Sequence, residues 1–437
     1  MMNNTRKIII ICERIISIVC VAFIFAFIWI GLRYLIVDDT NSYTRVMMHE
    51  FYDQDNIDIV FCGASLCYRS FDTNVLDSEL KANTFNAGSS SQTIAVTYYL
   101  LKDCLDRYNV DHVFVELSPI MASIYKDDIT DMTGVYIITD YMRMSTNKIQ
   151  LLFAESDPAS YANSFLIARR NWQDIYNMEY LGSLLEKKSS DIYTNYKYNY
   201  LKYDTEWYKG KGYVESEYQV TEGTFNDYYT SYDIKLENID SSWFDYVNKI
   251  IALCEKKETK LTFVCAPLSE YLISYYGEDY DNYHNKISNI ANQAGIEFWD
   301  FTLAKEDFFP NDAKYYMDSA HLNMYGAQIL SKLIAQIIKG QISYKDICYS
   351  STEEKILHDK PKVLGIVSSG NNIRIISTED GYLRYQISVT TSDGKEYTIQ
   401  DFSPNKEFSI SEGESGIIHI ISLDDNLNKN AYDYTYE

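Results

Sequence analysis

The stretch IVFCGASLCYRS, residues 59–70, runs a short apolar segment into Gly63-Ala64-Ser65 and then turns polar. A short apolar run that ends at a turn signal is typical of a buried strand in a parallel sheet. Gly and Ser are common turn residues, so Ser65 is either part of a turn or a nucleophile at the tip of the strand. A serine nucleophile needs an imidazole base from elsewhere in the chain.

Strand and helix patterns alternate on both sides of a long interruption. The apolar segments predict further strands at 82–85, 112–119, 260–267 and 296–301, and helical spacing predicts helices at 93–108, 242–257, 283–295 and 324–340. Five apolar strands interleaved with helices predict an α/β domain at residues 55–345, with a parallel sheet covered by helices on both faces.

The N-terminal segment predicts a membrane anchor at residues 8–36. Residues 15–32 are free of charge and long enough to span a bilayer as a helix. Arg6, Lys7 and Arg14 precede this stretch and two aspartates follow it, so the positive-inside rule places the N-terminus in the cytoplasm. A cleaved signal peptide is the alternative, but the segment is long for one and no small-x-small cleavage site follows. We expect a single-pass protein of the cell membrane with its bulk outside the cytoplasm.

Two regions differ from the alternating pattern. Residues of about 120–240 form an insertion with helix-like segments and a tyrosine-rich tract at 193–220, which is too aromatic for ordinary disorder. It is either a lid or substrate wall over one end of the sheet, or a decorative insertion. Residues 361–437 alternate apolar and polar residues between Asp-Gly and Ser-Gly turns, which predicts a small antiparallel β domain, similar to a sandwich.

Composition and cysteine spacing exclude several classes of function. The formal net charge of −23 argues against a nucleic-acid partner, since phosphate binding needs a basic face. Outside the anchor, six cysteines are scattered without a CxxC pair, and several lie in apolar runs. We therefore expect these cysteines to be buried and to pack as small hydrophobic residues. No His pair or Cys cluster has the spacing of metal ligands, so we expect no metal and no cofactor.

His321 is the best candidate for the base among the six histidines. It lies in YYMDSAHLNMYG, before the last predicted helix and three residues after Asp318. An imidazole that activates a serine needs a carboxylate to hold its tautomer, and Asp-x-x-His lets one loop supply both groups. Loops at the carboxyl ends of the strands share a crevice in an open α/β sheet, so Ser65 and His321 can meet there. We also expect Asn323 to cap the last helix.

The oxyanion of an acyl-transfer reaction needs N–H donors. Gly88 in NAGSSSQ, after the second strand, and the backbone of Ser65 are candidates. With these blocks in this order, the chain resembles the SGNH (GDSL-like) hydrolases over roughly residues 55–340. The resemblance implies a flavodoxin-like three-layer parallel sheet, the SGNH hydrolase fold. It also implies Ser65 as nucleophile, His321 as base, Asp318 as the orienting carboxylate, and Ser65 and Gly88 as oxyanion donors.

Two positions depart from the family pattern. Ala64 stands where the family has Asp, which removes a side chain beside the nucleophile. The third block of the family carries an Asn oxyanion donor, whereas the third strand here ends FVELSP and offers Glu116. A carboxylate donates no hydrogen bond unless protonated, so we expect Glu116 to be structural, to order the pocket or to bind a substrate hydroxyl. The oxyanion hole is then incomplete, or Ser89 or Gln92 completes it.

The expected substrate follows from the resemblance and the anchor. An anchored form with a long insertion looks most like the branch that includes alginate-type O-acetyltransferases and the teichoic-acid D-alanine transfer protein. This implies a serine esterase or O-acyltransferase that acts on acyl groups of cell-envelope glycan or teichoic acid, with a membrane-bound O-acyltransferase as partner if it transfers. Arg69 either holds an anionic group of the substrate or forms an ion pair with Asp72, which we favour. The alternative is a catalytically degenerate protein of this fold that binds glycan or scaffolds an envelope polysaccharide-modification complex.

Overall fold

The computed structural model forms two compact units. The residues that it describes are 2–125, 132–166, 176–198, 205–221, 225, 227–358, 361–378, 383–411, 413 and 415–436. One unit consists of Met1–Val46 and Ser156–Tyr200, and the other of Met47–Glu155 and Leu201–Glu437.

The described residues contain α-helices, short 3-10 helices and strands. The α-helices are α1 (Met2–Ile36), α2 (Tyr43–Asp53), α3 (Ser65–Ser70), α4 (Thr73–Leu80), α5 (Ile94–Arg107), α6 (Pro119–Ile124), α7 (Thr133–Thr139), α8 (Thr146–Glu155), α9 (Tyr161–Leu166), α10 (Met178–Ser189), α11 (Asp191–Thr194), α12 (Ser241–Lys256), α13 (Glu270–Tyr276), α14 (Glu278–Ala294), α15 (Met324–Ile338), α16 (Tyr344–Ile347) and α17 (Thr352–His358). The 3-10 helices are Tyr228–Ser231, Leu236–Asn238, Phe301–Leu303 and Ala313–Tyr315. The strands are β1 (Ile59–Cys62), β2 (Thr84–Asn86), β3 (His112–Glu116), β4 (Glu206–Gly210), β5 (Tyr213–Ser216), β6 (Lys260–Cys265), β7 (Glu297–Asp300), β8 (Val363–Ser369), β9 (Asn372–Ser377), β10 (Arg384–Thr391), β11 (Glu396–Ser403), β12 (Glu407–Ser409), β13 (Gly416–Leu423) and β14 (Lys429–Tyr436).

The first unit contains the apolar helix α1. Its stretch Ile8–Leu35 is long and apolar enough to cross a membrane, as a membrane anchor or a signal sequence would be. At the end of α1, the buried ammonium of Lys188 on α10 donates to the carbonyl oxygens of Tyr34 (2.8 Å) in the last turn and Val37 just after it, and pairs with Asp39 at 3.2 Å. These contacts satisfy carbonyl groups that the end of a helix leaves without partners, and they tie α10 to the residues that follow α1.

The second unit contains the expected five-stranded parallel sheet, in the order β2-β1-β3-β6-β7. β1 is a continuous apolar run, and β1, β2 and β3 are buried throughout, because both faces of the sheet are covered. The chain leaves β1 for β2 on one side and then crosses to β3 on the other side. The crevice at this switch point opens at the carboxyl ends of β1 and β3, directly before Ser65 and at Glu116.

The predicted strands and helices lie close to the observed ones, with two differences in length. The strand predicted at 112–119 ends at Glu116, because the Ser118 hydroxyl accepts the N–H of Ile120 at 3.2 Å and caps α6, with Pro119 in its first turn. The helix predicted at 283–295 begins earlier, at Glu278, with three acidic residues in its first turn.

The C-terminal strands form the expected antiparallel sheets. One sheet has the order β11-β10-β13-β14 and the other β12-β9-β8, and alternate residues of both contribute to one apolar core. This β region packs on the α/β region at Gly365, where a Cβ atom would lie 2.7 Å from the ring of Tyr271. The hydroxyl of Tyr271 donates to the carbonyl oxygen of Ile366 at 3.1 Å, so only glycine fits beside this ring.

Candidate active site

Ser65 lies at the start of α3, immediately after β1 and a two-residue turn. A Cβ atom at Gly63 would lie 2.8 Å from Cβ of Glu116 and 3.0 Å from Cβ of Cys67, so the close approach of these chains requires glycine. The carbonyl oxygen of Ala64 accepts the N–H groups of Cys67 and Tyr68 and closes the first turn of α3. Ser65 is therefore held, partly exposed, at the carboxyl end of the sheet.

His321 lies in a tight loop before α15. The N–H of Met317 donates to the carbonyl oxygen of His321 at 3.0 Å and closes the loop. Inside it, Oδ1 of Asp318 accepts the N–H groups of Ala320 at 2.8 Å and His321 at 2.7 Å. Asn323 accepts the N–H groups of Tyr325 and Gly326, so its expected role as the cap of α15 is confirmed.

The three residues of the expected triad form one chain of hydrogen bonds. Oγ of Ser65 lies 2.7 Å from Nε2 of His321. Nδ1 of His321 lies 2.9 Å from Oδ2 and 3.1 Å from Oδ1 of Asp318. Burial alone would raise the pKa of Asp318, but the imidazole of His321 and the loop amides outweigh it and hold that pKa below its usual value. An ionised Asp318 is the state that orients an imidazole for proton transfer.

The hydroxyl of Ser65 opens into a cavity of about 310 Å³. Its apolar wall includes Leu66 and the α6 residues Ile120, Met121 and Ile124. Tyr228, Tyr229 and Tyr232, called the tyrosine cluster below, form part of the lining together with Tyr68, Arg69, Ser90, Ser91, Glu206, Met317, Asp318, Ala320 and His321. Part of the insertion thus forms a wall of this cavity, which agrees with the interpretation of that region as a lid or substrate wall.

The predicted oxyanion donors after the second strand lie behind the cavity. The N–H of Gly88 donates to Oδ1 of Asn86 at 3.1 Å, so it is not free to bind an oxyanion in this conformation. The Ser89 hydroxyl donates to Gln92 at 2.9 Å, and Gln92 donates to the hydroxyl of Thr97 at 3.0 Å. The N–H of Gly88 and the side chains of Ser89 and Gln92 thus all bond to other groups of the protein. In this conformation they do not supply the oxyanion donors that the sequence predicted.

Ser91, like Ser90, is a residue of this turn that the sequence analysis did not single out. It lines the cavity and adopts a left-handed conformation with φ of 52°. A Cβ atom at Gly134 would lie 2.1 Å from the carbonyl oxygen of Ser91, so glycine at 134 leaves room for this turn. A non-glycine residue held at positive φ beside a cavity is a common feature of functional sites.

Arg69 lines the cavity, but its charge is already paired. Its guanidinium forms a buried ion pair with Glu206 on β4 and donates to the carbonyl oxygens of Val214 and Glu215, each at 3.4 Å. The expected pair with Asp72 is wrong, because Asp72 caps α4 by accepting the N–H groups of that helix. An anionic substrate group would have to compete with Glu206 for this guanidinium.

Glu116 ends β3 beneath the turn that carries Ser65. It does not line the cavity, and neither of its carboxyl oxygens has a hydrogen-bond partner among the described residues. Burial raises the pKa of Glu116 to about 8, against the opposing influence of the Ser118 and Ala266 amides and with a smaller contribution from the charge of Asp300. At neutral pH this side chain is therefore mostly an uncharged carboxylic acid.

The cysteines lie in the surroundings that the sequence predicts. All eight cysteines carry free thiols, and the six outside α1 are buried, as expected for small hydrophobic residues. Among the described residues, no group of three or more His, Cys, Asp or Glu side chains is arranged to hold a metal ion.

The tyrosine cluster and Glu206 are the site residues that sequence reasoning missed. Glu206 lies in the tyrosine-rich tract at 193–220, and the tyrosine cluster follows it within the insertion. Tyrosine recurs here without a periodic pattern, so no spacing distinguishes Tyr229 from its neighbours. Tyr229 Oη lies 3.1 Å from Nδ1 of His321, and this contact was not foreseen.

Among known proteins, the chain is similar to several solved structures. No family model matches the chain, and no curated protein matches it. The chain is similar to a GDSL-like lipase from Bacteroides thetaiotaomicron, with 10% identity over 69% of this chain and 100% of that one and a TM-score of 0.32. It is also similar to an acetyl xylan esterase from the rumen bacterium Butyrivibrio proteoclasticus, with 9% identity over 66% of this chain and 65% of that one and a TM-score of 0.25.

Proposed function

We propose that this protein is a serine esterase or O-acyltransferase that works through an acyl-enzyme on Ser65. The observation that supports it is the hydrogen-bond chain from Ser65 through His321 to Asp318 at the wall of a cavity. A serine hydroxyl becomes a nucleophile when an oriented imidazole takes its proton, and all three groups of that arrangement are within hydrogen-bond distance.

The proposed reaction moves one acyl group and conserves protons. Nε2 of His321 takes the Ser65 proton while Oγ attacks the ester carbonyl carbon, and the N–H of Ser65 at the start of α3 stabilises the oxyanion. The tetrahedral intermediate collapses, and the leaving alkoxide takes the proton from His321. Water or an acceptor hydroxyl then gives its proton to His321 and attacks the acyl-enzyme, which releases the acid or the new ester and returns the proton to Ser65.

The proposed location and substrate rest on the N-terminal helix. If α1 is an uncleaved anchor with its basic end in the cytoplasm, the site faces the cell envelope. The substrate is then an acyl ester of an envelope glycan or of teichoic acid. A transferase would receive its acyl group through a membrane-bound O-acyltransferase partner.

One observation favours a second candidate, a degenerate protein that binds glycan or scaffolds an envelope complex without turnover. Of the two expected backbone oxyanion donors, Gly88 gives its N–H to Asn86, and no Asn follows β3 to replace it. A single remaining donor at Ser65 would stabilise the oxyanion less, and the loss of one donor costs about 10²- to 10³-fold in rate.

Hydrolysis of p-nitrophenyl acetate by the full chain in detergent separates the two candidates. The enzyme proposal predicts turnover that disappears in both Ser65→Ala and His321→Ala, and a glycan acceptor that speeds nitrophenol release indicates a transferase. Absence of any Ser65-dependent turnover, together with retained glycan binding, would contradict the enzyme proposal and support the degenerate one.

A further inference from the structure

Tyr229 is the residue of the insertion that contacts the base. It lies on the 3-10 helix Tyr228–Ser231, and its hydroxyl is 3.1 Å from Nδ1 of His321. The two rings meet edge to face, with centroids 5.5 Å apart and planes at 71°. The hydroxyl of Tyr276 on α13 donates to the carbonyl oxygen of Tyr229 at 2.5 Å and fixes the backbone at this position.

Three oxygen atoms surround Nδ1 of His321, and the tautomer of the imidazole decides their roles. If Nδ1 carries the hydrogen, it donates to Asp318, Tyr229 Oη serves as a further acceptor, and bare Nε2 faces the Ser65 hydroxyl as a base. If Nδ1 is bare, Tyr229 donates to it, and the hydrogen on Nε2 leaves that atom unable to take the Ser65 proton. Without a hydrogen, Nδ1 would also face two carboxylate oxygens at 2.9 and 3.1 Å, and these acceptors would repel one another. Asp318 therefore selects the tautomer that carries the hydrogen on Nδ1.

Tyr229 keeps its hydroxyl hydrogen in this site. Burial, and after it the negative charge of Asp318, raise the pKa of Tyr229 well above the usual value of a tyrosine. The groups that face it are Asp318 and His321 from the loop before α15, Tyr228 and Tyr232 from its own segment, Tyr68 from α3 and Tyr276 from α13. Tyr229 therefore adds a neutral oxygen beside Nδ1, and Asp318 supplies the negative charge.

We propose that Tyr229 is a positioning residue of the triad. Its oxygen shares the Nδ1 hydrogen of His321 with Asp318, holds the ring with Nε2 toward Ser65, and stabilises the imidazolium that forms when Ser65 gives up its proton. This role, which rests on the proposed function, makes the insertion a part of the catalytic machinery as well as a cavity wall. Anchorage of the Tyr229 backbone by Tyr276 makes the contact a fixed feature of the site.

The test is the pH dependence of kcat/KM for p-nitrophenyl acetate, measured with the full chain in detergent from about pH 5 to pH 9. Tyr229→Phe removes the oxygen and keeps the ring. We expect kcat/KM to fall roughly 3- to 10-fold at neutral pH, and the acid limb of the profile to move to lower pH by about half a unit or more, since a less stabilised imidazolium loses its proton more readily. Tyr276→Phe should change both quantities in the same direction by less, because the hydroxyl of Tyr229 stays.

Tyr232→Phe is the matched control. Its ring stacks on Tyr229 and its hydroxyl contacts Tyr228, so the variant removes a hydroxyl from the same cluster without touching His321. Its acid limb should coincide with that of the wild type, whatever happens to KM. Thermal unfolding midpoints establish that each variant is folded.

Three outcomes would overturn the role of Tyr229. The first is a pH profile of Tyr229→Phe that equals that of the wild type. The second is a gain in kcat/KM, which would mean that Tyr229 holds the unproductive tautomer. The third is a loss of kcat/KM in Tyr229→Phe while the acid limb stays at the wild-type pH. Each of them leaves the proposed function intact as long as wild-type turnover depends on Ser65. Turnover that survives in Ser65→Ala would instead remove the proposed function, and the role of Tyr229 with it.

Discussion

Replacement of Glu116 by Gln should change how the stability of this protein depends on pH. In the folded chain Glu116 has no hydrogen-bond partner among the described residues, and burial raises its pKa from 4.5 to about 8. Between these two values the folded protein holds a proton on Glu116 that the unfolded chain releases. The free energy of unfolding of the wild type therefore falls as the pH rises through this window.

The expected size follows from the shift in pKa. One pKa unit corresponds to about 1.4 kcal/mol, so the contribution of Glu116 to stability declines by roughly 3 to 4 kcal/mol between about pH 5 and pH 8. Gln has the shape of the protonated acid and does not titrate. The stability of Glu116→Gln relative to the wild type should rise by that amount over the same range.

Denaturant unfolding of the full chain in detergent, followed by tryptophan fluorescence at several pH values, measures this difference. Glu396→Gln is the control, because Glu396 is exposed on β11 and its replacement should leave the wild-type slope unchanged. Parallel pH curves for the wild type and Glu116→Gln would refute the reasoning. They would mean that Glu116 is solvated or paired in the folded protein and titrates as an ordinary glutamate.

Two further predictions concern residues around the site. Glu206→Gln removes the carboxylate that pairs with the buried guanidinium of Arg69, so thermal and denaturant unfolding should show a loss of about 3 kcal/mol or more, and an unchanged midpoint would show that the pair contributes nothing. Asn323→Ala removes the acceptor for two N–H groups of α15 and also the buried amide that donates to the carbonyl oxygens of Tyr218 and Lys314, so it should cost about 2 to 4 kcal/mol of unfolding free energy, whereas Asn323→Ser, which keeps a cap acceptor, should lose about 1 kcal/mol less. Equal losses in the two Asn323 variants would contradict a capping role.

Local signals in the sequence predict the five parallel strands and the residues expected to form the triad. The apolar run before Gly63 predicts a buried strand. Only His321, of the six histidines, combines a carboxylate three residues away with a place before the last helix. These features depend on hydrophobic periodicity and on short-range spacing, which the sequence displays directly.

The wrong or missing predictions concern contacts between distant segments of the chain and the hydrogen-bond partners of individual groups. Arg69 pairs with Glu206, 137 residues away, and no local pattern distinguishes that partner from the nearby Asp72. The N–H of Gly88 is taken by Asn86 because of the conformation of one turn, which composition does not specify. Tyr229 is one of 41 tyrosines, and only the folded insertion brings its hydroxyl to His321.

The central claim is that Ser65 is a nucleophile activated by His321. The most direct measurement is covalent labelling of the full chain in detergent with a fluorophosphonate, followed by mass spectrometry of the peptide that contains Ser65. We predict a phosphonyl adduct on Ser65 that forms in the wild type, is absent in Ser65→Ala and forms far more slowly in His321→Ala. A folded wild-type protein that gains no adduct on Ser65, or gains it equally fast in His321→Ala, would contradict the claim.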